Sequence, residues 1–168
     1  MKILFVCTGN TCRSVMAEAI LKDFLEKEGV SQDFEVSSAG LFAQDGEPPT
    51  IETQFALEKG GIPLRETGAT YVEEEVLEGA DLILTMTEGH RIMIEDRKEK
   101  GYYEGKLFTL KEYTKHCRKN TGKSPAEDQE GSLDISDPYG GSVEVYREIF
   151  EEIYQETETL MQKILEKC

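Results

Sequence analysis

Tryptophan is absent from this 168-residue sequence, histidine occurs twice and cysteine four times. The two histidines, His90 and His116, are too few and too scattered for a metal site, so a surface or capping role is expected of both and no metal or cofactor is implied. Cys7, Cys12, Cys117 and Cys168 are too sparse for a disulfide framework in a chain of this size. Basic residues are also short, 19 against 34 acidic, for a net charge of −15. That deficit argues against nucleic acid and anionic membranes as partners, and it favours basic over strongly anionic protein segments. No apolar run approaches the roughly twenty residues of a membrane span, and no charged segment followed by a cleavable apolar one opens the chain. A cytoplasmic protein is expected. Without an internal repeat, 168 residues read as one domain, 1–168, long enough to bury its own core.

What is present is concentrated at the amino-terminal end. Ile3, Leu4, Phe5 and Val6 have the length and composition of a buried strand, and they stop at the polar loop CTGNTCR. Apolar Met16, Ala19, Ile20 and Phe24 then recur at helical spacing, which predicts a helix over 15–28 with Ser14 as its N-cap. A loop entering a helix N-terminus aims backbone N–H groups and partial positive charge at one point, which makes an anion site. Gly9 permits a tight turn and a close approach to an oxyanion, and Arg13 adds a planar fork of donors. At Cys7 the same field favours thiolate over thiol. A nucleophile thus faces a bound phosphate.

CxxxxxR between an apolar strand and a helix is the signature of cysteine-dependent phosphatases, and CTGNTCRS resembles the low-molecular-weight protein tyrosine phosphatase family in particular. SSAG (37–40), ADLILTMT (80–87), LFTLKEYT (107–114) and DPYGGS (137–142) look like that family's other landmarks, in order and over nearly the whole chain. The resemblance implies an α/β three-layer sandwich, with a four-stranded parallel sheet in the order 2-1-3-4 and helices on both faces.

The chain in order agrees with that expectation. Strands are predicted at 34–38, 81–85 and 107–110, and helices over 50–59, ended by Gly60 and Gly61, over 72–78 and over 88–98. The stretch 41–49 is rich in glycine and proline, so Phe42 within it is either a packing residue or a wall of the substrate entrance. Residues 115–136 read as a long irregular connection, and a last helix follows Ser142 with Val143, Tyr146, Phe150, Ile153, Leu160 and Ile164 as its core stripe. In such a sheet, ligands sit beyond the carboxyl ends of the strands, where Cys7 lies.

The resemblance carries roles residue by residue. Cys7 matches the nucleophile, and Arg13 with the loop N–H groups of Thr8, Gly9, Asn10, Thr11 and Cys12 matches the phosphate cradle. Asn10 matches a residue that braces the loop, and Ser14 one that hydrogen-bonds the cysteine sulfur. Asp137, aimed by Pro138, matches the general acid and later general base, and Tyr139 the entrance wall. Thr11 stands where tyrosine-directed members generally carry a bulky aliphatic residue. A hydroxyl with more room beside it suits a phosphorylated guanidinium better than a phenol, and Thr11 with DPYGGS closely resembles the bacterial protein-arginine phosphatase branch. The alternative for Thr11 is a hydrogen bond within its own loop. Gly140 and Gly141 leave an open rim.

Cys12 either packs beneath the loop or captures an oxidised Cys7 as a disulfide, a reversible switch that the resemblance supports. Two departures stand out: Val15 replaces a proline usual in the family, and the 115–136 connection is longer than usual. Phosphorylated proteins are the expected substrates, phosphoarginine first and phosphotyrosine as the alternative. Arsenate reduction, which relays a disulfide through further cysteines, fits poorly, because none lies between Cys12 and Cys117. The oligomeric state is left open.

Overall fold

The computed structural model describes residues 1–64, 68–118 and 131–166, with side chains omitted for 116–118. The strands are β1 (Lys2–Cys7), β2 (Glu35–Gly40), β3 (Leu82–Thr85) and β4 (Leu107–Thr109). Among the described residues six α-helices accompany them: α1 (Arg13–Lys27), α2 (Ile51–Lys59), α3 (Glu74–Gly79), α4 (Glu88–Glu95), α5 (Leu110–Arg118) and α6 (Val143–Ile164). The sheet is parallel in the order β2-β1-β3-β4, so β1 is central, with Cys7 beside Gly40 and Val6 beside Thr85.

Alternation along β1 builds both halves of the core. Ile3, Phe5 and Cys7 join Met16, Ile20 and Leu21 of α1, Leu57 of α2 and Tyr146, Phe150 and Ile153 of α6 on one face. Leu4 and Val6 join Leu77 of α3, Ile94 of α4 and Tyr103 on the other. Two layers of helix therefore sandwich the sheet. Leu21, Ile20 and Ile153 are fully buried, and burial of each such side chain stabilises by roughly 1.5–3 kcal/mol.

Several local expectations need correction. Helix α1 starts at Arg13 with Cys12 at its cap, so Ser14 is not the N-cap; its hydroxyl turns inward to the site. The left-handed residue of the loop is Asn10, at φ 54°, not Gly9. Asparagine tolerates that conformation better than most side chains. Val143 is largely exposed, because the buried stripe of α6 begins one turn later at Tyr146; Ile164 packs only partly. Ser142 does cap α6, accepting from the Val145 N–H at 3.4 Å.

Helix α5 occupies part of the expected irregular connection. It forms because Leu110 and Thr114 are both buried one turn apart, with the Thr114 hydroxyl satisfied by the Leu110 carbonyl at 3.1 Å and by Glu156. The rest of that connection to residue 130, the side chains of His116 and Cys117, and Cys168 lie outside the described residues.

Candidate active site

The site assembles at the carboxyl end of β1. Cys7 is the last residue of that strand and is buried. Its sulfur lies 2.9 Å from the Ser14 hydroxyl and receives the Asn10 backbone N–H at 3.3 Å. Asn10 Nδ2 donates to Ser14 Oγ at 2.8 Å, which leaves the serine proton free to point at sulfur. Two donors thus face the sulfur, as an anionic nucleophile requires.

Asn10 also ties the loop to its surroundings. Its Nδ2 donates to Ser38 Oγ at 2.9 Å, and its Oδ1 accepts from the Thr70 N–H at 2.9 Å. These bonds hold a left-handed residue in place between Cys7 and α1. Gly40 allows the loop to lie close against β2: a Cβ there would stand 2.7 Å from the Thr8 carbonyl oxygen and 2.9 Å from the Asn10 nitrogen.

Arg13 is buried, and its guanidinium is held from three sides. Nη1 donates to the Ile135 carbonyl at 2.9 Å, and Nη2 lies 3.3 Å from Thr8 Oγ1 and 3.2 Å from Asp137 Oδ2. The segment carrying Asp137 is pinned in turn. The Ile135 N–H donates to the Met86 carbonyl at 2.8 Å, Asp134 Oδ1 accepts from the Glu88 N–H at 2.7 Å at the start of α4, and Lys111 donates to the Asp134 carbonyl at 2.9 Å. The Tyr139 N–H closes a turn on Asp137 Oδ1 at 3.1 Å.

Thr11 is buried, and its Oγ1 pairs with Cys12 Sγ at 3.7 Å, the hydrogen bond within its own loop that was the alternative for it, while its carbonyl accepts from Thr53 Oγ1 at 3.1 Å and the Thr50 N–H at 3.2 Å. Cys12 is a buried free thiol 3.5 Å from the Tyr146 hydroxyl and 3.7 Å from that of Thr50. Burial pushes the Tyr146 phenol up to about 12, so it is neutral beside that thiol. Phe42 and Tyr139 are both strongly exposed, so the Phe42 ring is not a packing residue, and the Phe42 N–H bonds the Thr8 carbonyl. Gly9 adds no left-handed turn, but its absent side chain leaves the loop open next to Thr11.

His90 departs from expectation. It is buried, and its Nε2 lies 2.8 Å from Thr8 Oγ1, while its own N–H is capped by Thr87 Oγ1 at 3.1 Å. It is therefore neither a surface residue nor a capping side chain. Burial first, then the charge of Arg13, pushes the imidazole down to about 4, against the smaller opposing influence of Asp137 and Asp134. It stands in the first turn after β3, at the ligand-binding edge of the parallel sheet. Among the described residues, no group of three His, Cys, Asp or Glu side chains is arranged to hold a metal ion.

A buried thiol, a buried guanidinium and a carboxylate gathered around one loop at a helix N-terminus are the groups that phosphoryl transfer to sulfur calls for. Residues 2–168 match the family described as low molecular weight phosphotyrosine protein phosphatase. This chain belongs to that family. It is a cysteine-dependent phosphatase, and its family acts on phosphorylated proteins.

Relatives divide over substrate. A protein-arginine-phosphatase of Bacillus subtilis is 40% identical over 153 residues, covering 91% of this chain and 89% of the relative. The low molecular weight protein-tyrosine-phosphatase PtpB of Staphylococcus haemolyticus is 34% identical over 154 residues, covering 91% and 92%. Among solved structures, a YwlE arginine phosphatase mutant with a phosphorylated active-site serine superposes with a TM-score of 0.81 at 36% identity, covering 98% of this chain and 95% of that one. No described helix is long and apolar enough to cross a membrane.

Proposed function

We propose that this protein removes phosphate from arginine side chains of proteins through a phosphocysteine at Cys7. In the first step the Cys7 thiolate attacks phosphorus, an S–P bond forms and the P–N bond breaks, and Asp137 gives its proton to the departing guanidine nitrogen. The loop N–H groups from Thr8 to Arg13 and the Arg13 fork stabilise the equatorial oxygens. In the second step water attacks the phosphocysteine, Asp137 accepts its proton, and phosphate leaves with the S–P bond broken. Ser14 and Asn10 support the sulfur and the loop.

The observation that carries this reading is the pairing of Arg13 with Asp137 at 3.2 Å, at the end of a strand that closes on Cys7. Thr11 carries the choice of leaving group: its small buried side chain leaves room for a planar, polar guanidinium. Phe42 and Tyr139 stand as exposed aromatics to flank the entering side chain. The relative named a protein-arginine-phosphatase, at 40% identity, supports the same substrate. The test is phosphate release from a phosphoarginine peptide at neutral pH; turnover of an aryl phosphate without it would refute the assignment. The alternative, phosphotyrosine, is favoured by the PtpB relative and needs no change in Cys7, Arg13 or Asp137.

The chain acts as one domain, and its charge of −15 favours basic protein segments over nucleic acid. The cytoplasm suits its two loop thiols, which stay free there. Oxidation of Cys7 to a sulfenic acid by peroxide, followed by attack of the Cys12 thiol, would form a disulfide and release water.

A further inference from the structure

The two nitrogens of the His90 ring are unequal. Nε2 lies 2.8 Å from Thr8 Oγ1, whereas Nδ1 is buried with no hydrogen-bond partner among the described residues. A neutral imidazole has one N–H, and a buried N–H without an acceptor is rarer than an unpaired acceptor. The proton therefore sits on Nε2, and the ring donates to Thr8. Arg13 Nη2 donates to the same oxygen from 3.3 Å. Both lone pairs of the hydroxyl are then engaged, and the oxygen is pinned between the histidine and the arginine.

That pinning has a consequence for Arg13. Of the three acceptors around its guanidinium, Ile135 and Asp137 belong to the segment before α6; Thr8 alone belongs to the phosphate loop. Threonine has three staggered χ1 wells, so an oxygen that loses its second donor can exchange places with the methyl group. We propose that His90 is a positioning residue, which fixes the Arg13 guanidinium for phosphate through the Thr8 hydroxyl. The charged groups facing the ring are Arg13 from α1 and Asp134 and Asp137 from the segment before α6. An uncharged donor is what this place requires, since a second cation would repel Arg13. The proposal rests on the phosphatase chemistry and not on the choice of phosphoarginine.

The test uses the full chain, para-nitrophenyl phosphate as substrate and inorganic phosphate as inhibitor. His90→Leu removes the donor, His90→Gln retains an amide N–H of similar reach, and Thr8→Val removes the shared oxygen. His90→Leu is expected to lower kcat/KM about tenfold and to weaken phosphate inhibition by a similar factor, as loss of a buried hydrogen bond to a charged network does. His90→Gln should recover most of both, and His90→Leu should add less than about twofold in the Thr8→Val background. Should His90→Leu fail to fold, His90→Asn replaces it, because its shorter amide falls short of Thr8. Full activity in these variants, or losses that multiply in the double variant, would overturn the proposal. An unmodified chain inactive on the aryl phosphate would instead contradict the phosphatase reading.

Discussion

Arg13 Nη2 and Asp137 Oδ2 stand 3.2 Å apart, the guanidinium almost wholly buried and the carboxylate half exposed. The contact joins the first turn of α1 to a segment far along the chain, and it brings the proposed phosphate grip against the proposed proton donor. As a carboxylate Asp137 can orient a cationic guanidinium, and as a carboxylic acid it can protonate the leaving nitrogen.

Asp137→Asn keeps the shape of this contact and removes the proton. With a phosphoarginine or phosphotyrosine peptide, kcat is expected to fall by about a hundredfold or more, the usual worth of a general acid. With an aryl phosphate whose leaving group needs no proton, the first step should be far less affected. Equal losses in kcat/KM, which reads the first step and not the shared hydrolysis of the phosphocysteine, on both substrates would point to a structural role.

Gly40→Ala places a methyl group 2.7 Å from the Thr8 carbonyl and 2.9 Å from the Asn10 nitrogen, both backbone atoms. The loop must shift, so a loss of about 1–3 kcal/mol in stability is expected, with a fall in kcat/KM of at least about tenfold. Chemical denaturation and aryl phosphate turnover measure the two. A neutral result would mean that the loop tolerates displacement.

Much of the architecture was legible because β1 and the loop after it carry strong local signals. Four apolar residues in a row, an abrupt change to small polar residues, and Cys7 and Arg13 at the ends of the loop mark a strand, a loop and a helix. Ser14 looks like a cap for α1, but its hydroxyl is recruited by Cys7 and Asn10 instead. Asn10, which the resemblance names as a brace of the loop, also takes its left-handed turn, held there by side-chain bonds. Helix α5 was hidden because its buried positions include Thr114, a polar residue that a distant partner, Glu156, satisfies. His90 was underestimated for a similar reason. A lone histidine carries no pattern, and only tertiary structure brings it to Thr8.

The buried, neutral His90 makes stability depend on pH. Its folded value near 4 lies below the ordinary 6.5, so the unfolded chain binds more protons between those limits. Its contribution is complete above about pH 6.5 and is lost as pH falls toward 4, up to roughly 3 kcal/mol. Denaturation midpoints measured across pH 4–7 should therefore show the parent losing stability relative to His90→Gln as pH falls. Parallel curves would show that His90 is not the group responsible.

Mild peroxide should convert Cys7 and Cys12 into a disulfide, with activity restored by dithiothreitol. Peptide mass spectrometry reads the linkage. Unbridged, over-oxidised Cys7 would exclude the switch, and Cys12→Ser should make oxidative loss irreversible.

In the proposed function Thr11 selects a phosphorylated guanidinium over a phenol. The ratio of kcat/KM for a phosphoarginine peptide to that for a matched phosphotyrosine peptide, at neutral pH, tests it most directly. The expected ratio is large, and Thr11→Ile should reduce it by roughly a hundredfold, the scale of discrimination that pocket shape provides. A preference for phosphotyrosine in the unmodified protein would contradict the assignment and leave the cysteine chemistry standing.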